Sequence, residues 1–509
     1  MERLGTNYGG WFVPKEMVLN ESSIVYSGGV GEDMSFDLSL QSKYNCNIFL
    51  IDPTKRAFKH FQNVKGYYEK QTEFSGDIQK DYINCIEYLN PNLRKMNYLD
   101  VGLWNEKTEL KFYKQNNDKC VSQSLVPSMF GSDYDIVHVN TIQNIMKENN
   151  HSKIDLLKLH IEGAEVEVVD KMLDDGIHPR YVMIEFDLLL KKKDPENKTK
   201  KLIERMMRKE QYTILKNDNL NITFEYQIPV VIVHIGYKDY VRVNLEITGK
   251  TNKIYLIGDD SMKHLGKMHN VTFVDIDKYQ NHASIVEARN SFINYSTNSE
   301  EFEWTAIQNG AFILKLFLED YHLSKIFNMD SDNILLYDIN KYSFKKDIAY
   351  CLNKNYHEFR MSNSNHCALF NLEYCNEFIQ LYKDIYLSKK HFHLIEDKIR
   401  YHSENNIAGG INIMTLNYIL VNERRIETQN LMNPAEDDSV FLNNINNAEG
   451  CESKQQYRLK KNMIDFYFSN GVWKIYDLIN KKEYKLMNLH FQGGAKRFMT
   501  DTLIETFNY

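Results

Sequence analysis

The sequence predicts an α/β protein built as two successive domains, and three observations lead there. At 509 residues the chain is longer than one hydrophobic core ordinarily organises. Two stretches, "SSIVYSGGVGEDMSFDLSL" (22–40) and "PVVIVHIGYKDYVRVNLEI" (229–247), each run from a β-branched strand through a glycine turn into an amphipathic helix. Such a βα unit opens an open sheet, whose ligands sit beyond the carboxyl ends of the strands. Between the two, "YTILKNDNLNITFEYQI" (212–228) reads as a hairpin turning at "KNDN", so the boundary is set near 227, giving domains 1–227 and 228–509.

Composition narrows the function classes. Lys+Arg is 62 against Asp+Glu 69, a net charge of −7, and no strongly basic block occurs. A protein that binds nucleic acid by neutralising phosphates is therefore not expected. No run of about 18 apolar residues is present, so no transmembrane segment is expected. The N-terminal "MERLGTNYGGWFVPKEM" lacks the basic-then-apolar layout of a secretion signal. Seven cysteines (Cys46, Cys85, Cys120, Cys351, Cys367, Cys375, Cys451) are scattered without a CxxC pair. They read as reduced thiols of a cytoplasmic protein.

In the first half, the strand "CNIFLID" ends at Asp52, about twenty residues past the glycine turn, where an acid is placed to accept ribose hydroxyls. Gly28, Gly29 and Gly31 would let backbone approach a nucleotide-like ligand. The turn lacks a full GxGxxG, and Glu32 and Asp33 come directly after it. A negative rim disfavours a pyrophosphate and suits a cationic sulfonium. Further on, "YLDVGLWNEKTELKFY" (98–113) reads as strand, turn, strand. "IDLLKLHIEGAEVEVVDKML" (154–173) reads as a buried strand entering a helix, and "RYVMIEFD" (180–187) as another buried strand with acids at its carboxyl end. His160, Glu162 and Glu165 stand at the first junction; Glu165 reads as a first-turn carboxylate facing the helix dipole.

Over about residues 20–225 this pattern resembles the FkbM family of S-adenosylmethionine-dependent O-methyltransferases, most specifically in "LLKLHIEGAE", with "SQSL" (122–125) and "MIEFD" in support. The resemblance implies a Rossmann-like class I methyltransferase fold and methyl transfer to a hydroxyl. It makes Gly28, Gly29, Gly31 and Asp52 the cofactor-binding candidates, and His160 and Glu162 the catalytic ones. The family usually has Asp where this chain has His160. A neutral imidazole can serve there as general base, or simply hydrogen-bond within the sheet.

In the second half, "VVIVHIG", "NKIYLIGDDS" (252–261) and "NVTFVDIDKY" (270–279) read as three short strands opening a nucleotide-binding sheet, with His234 and Gly236 at the first turn as nucleotide-sugar candidates. The helical "WTAIQNGAFILKLFLEDY" (304–321) leads into "IFNMDSDNILLYDI" (326–339), where Asp330 and Asp332 flank one serine at a strand end. Paired carboxylates need a positive partner. The bland alternative is a strand-ending turn. This arrangement resembles the GT-A glycosyltransferases. "HFQGGAK" (490–496) is similar to the His-Phe-x-Gly-x-x-Lys signature of the retaining glycogenin and lipooligosaccharide galactosyltransferase family. The resemblance implies that His490 joins Asp330 and Asp332 around Mn²⁺ or Mg²⁺. Gly493 would admit backbone, and Lys496 would neutralise the leaving phosphate of a UDP- or GDP-sugar donor. Two departures stand out. Arg497 and Phe498 replace the usual Pro-Trp, and Asn412, Ile413, Met414 and Thr415 stand where relatives carry an Asp-containing segment; Glu404 or Ser364, Asn365 and His366 are the substitutes on offer.

The sequence supports three readings. In the first, one enzyme both adds a sugar to a glycan acceptor and O-methylates a sugar hydroxyl. In the second, only the methyltransferase is active and the C-terminal domain binds glycan or nucleotide sugar. In the third, both sites are degenerate and the chain is a nucleotide-responsive scaffold. The oligomeric state is left open.

Overall fold

The computed structural model describes residues 1–15, 17–70, 74, 81–115, 122–127, 129–190, 196–342, 344–353, 359–445, 456–460, 463–496 and 499. Cys120, Cys451, Arg497 and Phe498 lie outside the described residues. The chain divides into two compact units, Met1–Gln227 and Ile228–Tyr509.

The first unit is built on seven strands: β1 (Ile24–Gly28), β2 (Asn47–Ile51), β3 (Met96–Leu99), β4 (Leu156–Leu159), β5 (Tyr181–Glu185), β6 (Tyr212–Asp218) and β7 (Asn221–Tyr226). They lie in the order β6-β7-β5-β4-β1-β2-β3. The five strands from β5 to β3 are mutually parallel, and β7 is antiparallel to both β5 and β6. Parallel strands covered on both faces read as nearly continuous apolar runs, which is why "IFLI" and "LLKL" were legible as strands. Val25, Ile48, Leu50 and Leu156 pack into one core with Phe36, Leu38 and Leu40 of the helix Ser35–Tyr44. The winding reverses between β1 and β4, so the crevice of this sheet opens at their carboxyl ends. A smaller four-stranded sheet (Gly102–Leu103, Thr108–Lys114, Gln123–Ser124, Tyr134–Asn140) completes the unit.

The second unit repeats the opening. Its strands β8 (Val230–His234), β9 (Ile254–Gly258), β10 (Val271–Asp275), β11 (Lys325–Met329), β13 (Ala349–Leu352), β14 (Asn363–Asn371) and β15 (Gln429–Asn430) are ordered β10-β9-β8-β11-β14-β13-β15. The first four are parallel, and β14 runs antiparallel to β11. Side chains alternate across this sheet with period two. Val231, Tyr255, Ile257 and Ile326 enter one core, while Val230, Ile232, Ile254, Leu256 and Phe327 enter the other. The helix expected over 304–321 runs from Glu300 to Asp320, with a π-helical turn at Gln308–Phe312 inside it. A short pair, β12 (Asn333–Leu335) with β16 (Asn488–His490), stands apart from the main sheet and is antiparallel. No helix among the described residues is long and apolar enough to cross a membrane.

Candidate functional site

Each unit presents a site at the carboxyl ends of its central strands. In the first unit a cavity of about 760 Å³ is lined by Gly29, Gly31, Asp52, Lys158, His160 and Glu162, among others. Gly28 is not among its lining residues; it packs against Leu103 and Leu159 instead. Gly29 has φ +74°, and a Cβ there would stand 1.7 Å from the His160 carbonyl oxygen. The turn therefore closes onto the end of β4 only because that residue is glycine.

Asp52 is buried, and its carboxylate is fully engaged. One oxygen accepts the Val30 and Gly31 N–H groups, each at 3.0 Å; the other accepts from Thr54 N at 2.9 Å and Thr54 Oγ1 at 2.7 Å. A carboxylate offers about four acceptor positions, and in this geometry Asp52 uses them to brace the glycine turn. The expected acidic rim is also altered. Arg56 makes a two-point contact with Glu32 (Nη2–Oε2 2.7 Å, Nε–Oε1 3.1 Å), and Asp33 accepts from Thr6 Oγ1 at 2.6 Å and Ser35 N at 2.9 Å. An ion pair made across 24 residues of sequence thus cancels part of the negative charge read from "GED".

His160 comes directly after β4, with Nε2 3.7 Å from Glu162 Oε1 and Nδ1 3.5 Å from Glu185 Oε2. Burial, with a smaller contribution from the Lys158 charge, depresses its pKa to about 3, so the ring is neutral. Glu162 has φ +55°, an uncommon conformation for a side chain of this kind. Glu165 is fully buried and accepts from Ile161 N (3.0 Å) and Gly163 N (3.1 Å), so it shapes the loop that presents Glu162. Sequence reasoning passed over Lys158, whose Nζ donates to the Gly29 carbonyl at 2.8 Å and ties β4 to the turn. A charged residue at a mid-strand apolar position was the signal for it. The residues at hand fit S-adenosylmethionine in kind: a closely packed glycine turn, a roomy cavity and carboxylates for a sulfonium.

In the second unit, the register that pairs Asn333 with His490 sets Asp332 beside that imidazole, and Phe491 N donates to Asp332 O at 2.8 Å. Asp330, Asp332 and His490 each offer a ligand atom, all within 4.8 Å of one another. His490 Nδ1–H donates to the Asn443 carbonyl, which leaves Nε2 with its lone pair 3.7 Å from Asp332 Oδ1. A carbonyl-fixed tautomer with the other nitrogen turned inward is how histidine is held for metal binding. Burial keeps this ring neutral despite the Asp332 charge. Asp330 stands at the rim, where surrounding protein and the Asp332 charge push its carboxyl above the usual range. Lys496 Nζ lies 2.9 Å from Asp332 Oδ2 and supplies a positive partner. The donor set of two carboxylates and one imidazole fits Mn²⁺ or Mg²⁺.

Three asparagines that sequence reasoning missed hold this loop. Asn244 Nδ2 donates to the Ser331 and Asn333 carbonyls at 2.8 and 2.7 Å. Asn488 Nδ2 donates to Asn333 Oδ1 at 2.9 Å and to the Leu442 carbonyl at 3.0 Å, and Asn488 Oδ1 accepts from Leu442 N at 2.7 Å. All three are fully buried. His234 Nδ1 bonds Ser331 Oγ at 2.9 Å, and its Nε2 is buried with no hydrogen-bond partner. Gly236 (φ +80°) donates its N–H to Asp259 Oδ2 at 2.8 Å. Gly493 sits in a tight turn with φ +58° and open space where a Cβ would be.

Of the substitutes for the absent acid, Asn412 is a helix cap that accepts from Thr415 N at 3.1 Å. Ser364, Asn365 and His366 are buried in β14, and Glu404 is exposed at a helix end. His366 stacks on His490 at 4.1 Å between ring centroids. Cys351, His366 and Cys367 also converge, but both His366 nitrogens are engaged, by Ser364 Oγ at 2.8 Å and the Leu442 carbonyl at 3.1 Å.

The family model for the methyltransferase FkbM domain matches residues 62–214. That span contains Lys158, His160, Glu162 and Glu185 and begins after the glycine turn and Asp52. No curated protein matches the chain. Among solved structures, similarity extends to the PaToxG glycosyltransferase (14% identity, 38% of this chain and 69% of that one, TM-score 0.24). It extends also to mouse xyloside xylosyltransferase 1 (12%, 42% and 88%, 0.26). A third is the glycosyltransferase GlyE of Streptococcus pneumoniae TIGR4 (14%, 42% and 46%, 0.21). Likeness this distant leaves the second unit to be argued from its own geometry. The family match thus falls within the first unit, where residues 62–214 are similar to the methyltransferase FkbM domain.

Proposed function

We propose that the protein is a bifunctional enzyme of glycan biosynthesis. The second unit transfers a sugar from a UDP- or GDP-sugar to a glycan acceptor with a divalent cation, and the first O-methylates a sugar hydroxyl with S-adenosylmethionine. The observation that carries the first half of this reading is the β12–β16 pairing. It brings Asp332 and His490 together across the sequence, with the histidine tautomer fixed and Lys496 beside them. A divalent cation held there would supply positive charge to offset the negative charge developing on a departing diphosphate. Asp330, Asp332 and His490 would hold that cation. Lys496, released from Asp332, would neutralise the leaving phosphate, and the unpartnered His234 Nε2 would meet a phosphate or ribose oxygen across the Gly236 turn. The HFxGxxK resemblance favours retention of anomeric configuration.

In the first unit, the Gly29 turn and the cavity would position the sulfonium, and Glu162 would take the acceptor's proton. His160 stays neutral and so remains a hydrogen-bond acceptor at working pH. The unpaired thiols of Cys46, Cys85, Cys351, Cys367 and Cys375 suit a reducing, cytoplasmic setting.

The deciding experiment is a thermal-shift and turnover screen of UDP, GDP, CDP and their sugars, with and without Mn²⁺, on the wild type and Asp332→Ala. A ligand at a hundred times its Kd stabilises the folded unit by about 2.7 kcal/mol. A Mn²⁺-dependent shift with one nucleotide, abolished in the variant, is expected. No shift with any nucleotide overturns the glycosyltransferase half.

A further inference from the structure

Beyond the Asp-x-Asp clamp, a second convergence of metal-ligating groups lies in the first unit, at the carboxyl ends of β4 and β5. The two strands pair in parallel with Leu159 opposite Ile184, so the next residue of each, His160 and Glu185, emerges side by side. The His160 ring nitrogens stand 3.5 and 3.7 Å from Glu185 and Glu162, too far for good hydrogen bonds. Asp187, buried and two residues beyond Glu185, closes the group. One ligand atom each from His160, Glu185 and Asp187 lies within 4.8 Å of the others. Two carboxylates beside one imidazole form a donor set that suits a divalent cation. The charge of the nearby Lys158 reaches Glu185, while its ammonium bonds the Gly29 carbonyl. The cluster meets the ligand cavity through His160, which lines it beside Glu162.

We propose that His160, Glu185 and Asp187 bind one divalent cation at the acceptor end of the first unit's cavity. One imidazole nitrogen with two carboxylate oxygens suits Mn²⁺ or a neighbouring transition-metal ion better than Ca²⁺. Three protein ligands leave coordination positions for substrate oxygens. The acceptor class suited to those positions is a sugar presenting a hydroxyl with an adjacent oxygen, such as a vicinal diol. This acceptor assignment rests on the methyl-transfer reading above; the cation site does not. In the step itself the acceptor oxygen attacks the methyl carbon, and the C–O bond forms as the C–S bond breaks. The bonding pair stays on sulfur as a neutral thioether, and the hydroxyl proton passes to Glu162.

The test uses the full chain, stripped of metal, with Asp330→Asn and Asp332→Asn introduced to silence the second unit. Mn²⁺ is titrated by electron paramagnetic resonance and calorimetry. One Mn²⁺ per chain is expected, weakened at least tenfold by Glu185→Gln, Asp187→Asn or His160→Ala. Hydrogen exchange over β4 and β5 shows that each variant is folded. No bound Mn²⁺ in the silenced chain, or binding indifferent to all three substitutions, overturns the site. S-adenosylmethionine affinity is measured separately. Mn²⁺ binding without cofactor binding leaves the cation site standing and removes the methyl-transfer reading, and the converse result does the opposite.

Discussion

In the first unit Asp52, one residue past the Gly28–Ile51 pair, receives the N–H groups of Val30 and Gly31. In the second, Asp259, one residue past the His234–Gly258 pair, receives the N–H of Gly236. The two sheets thus open with the same device, an acid at the end of the second strand bracing the turn after the first. Past that brace the two units diverge. Gly29 lies hard against the His160 carbonyl, and the crevice becomes a cavity lined by a neutral imidazole and carboxylates. In the second unit the strand ends on His234, whose ring reaches Ser331 between the two aspartates, and the crevice becomes a charged clamp. The shared βα opening fixes where a ligand goes; the residues beyond the turn decide its chemistry.

The largest expected effect separates the two heads. Asp332→Asn removes the carboxylate that pairs with Lys496 and that, in the proposed function, would hold the cation. Sugar transfer should fall about 10³-fold, the order of a lost metal interaction of several kcal/mol. Methyl transfer measured on the same preparation should stay within about twofold, since the lesion lies in the other unit's clamp. A parallel fall in both rates would break the comparison by making the sites one system. Next in size is Asn488→Ala, which deletes the amide tying Asn333 to Leu442. Loss of these buried bonds should cost roughly 2–4 kcal/mol and weaken Mn²⁺ by about 10–100-fold, as supporting groups of metal ligands do. Denaturant unfolding and a metal titration read the two effects separately.

Much of the architecture was legible because buried parallel strands leave uninterrupted apolar runs, as in "VVIVH" and "IYLIG". The Asp-x-Asp and HFxGxxK segments were legible because their residue types have few other uses together. The features that escaped depend on register or on backbone. Nothing in "NLHFQ" says that the Asn443 carbonyl orients His490, since any residue could supply that carbonyl. The acids of "MIEFD" were visible, but their meeting with His160 depends on which residues of β4 and β5 lie opposite each other. Asp52 was legible as the acid that ends the second strand, but the groups it accepts from, Val30, Gly31 and Thr54, were not, because the donors around a carboxylate can be counted only once the turn is folded around it. Glu32 looked free because Arg56, its partner, lies 24 residues away on the helix Lys55–Lys70.

The glycines sharpen the contrast at smaller scale. Gly29→Ala would press a methyl group into the His160 carbonyl at 1.7 Å, and backbone there cannot yield cheaply. Overpacking plus the positive φ should cost about 2–4 kcal/mol and collapse cofactor affinity. Gly236→Ala meets open space, so only the φ of +80° opposes it, at about 1 kcal/mol. Unfolding curves for the two variants, resolved by unit through hydrogen exchange, check the difference. Equal costs would show that the two turns are less distinct than the Cβ geometry makes them.

The last contrast is one of sign. His60 is buried in the first unit, bonded to Tyr82 Oη at 2.8 Å, and burial depresses its pKa from 6.5 to about 4. Below 6.5 the unfolded chain takes up a proton that the folded unit refuses. Stability of the first unit is therefore lost as pH falls from about 6.5 towards 4, by up to about 3 kcal/mol. Asp330 in the second unit is raised, so in EDTA the folded clamp binds a proton before the unfolded chain does. That contribution runs the other way: falling pH relieves the carboxylate repulsion and stabilises the second unit until the ordinary Asp range is reached. Added Mn²⁺ should abolish the gain, because the cation and the proton compete for the same carboxylates. Hydrogen exchange between pH 4 and 7, with EDTA and with Mn²⁺, should show protection of β1–β5 falling with acid in both buffers. Because the buried His490 and His366 lose stability with acid in either buffer, the Asp330 contribution should show as a smaller loss of protection around β12 and β16 in EDTA than in Mn²⁺. Were β12 and β16 to respond identically in the two buffers, the aspartates would be a turn with a lysine beside it and not a cation clamp.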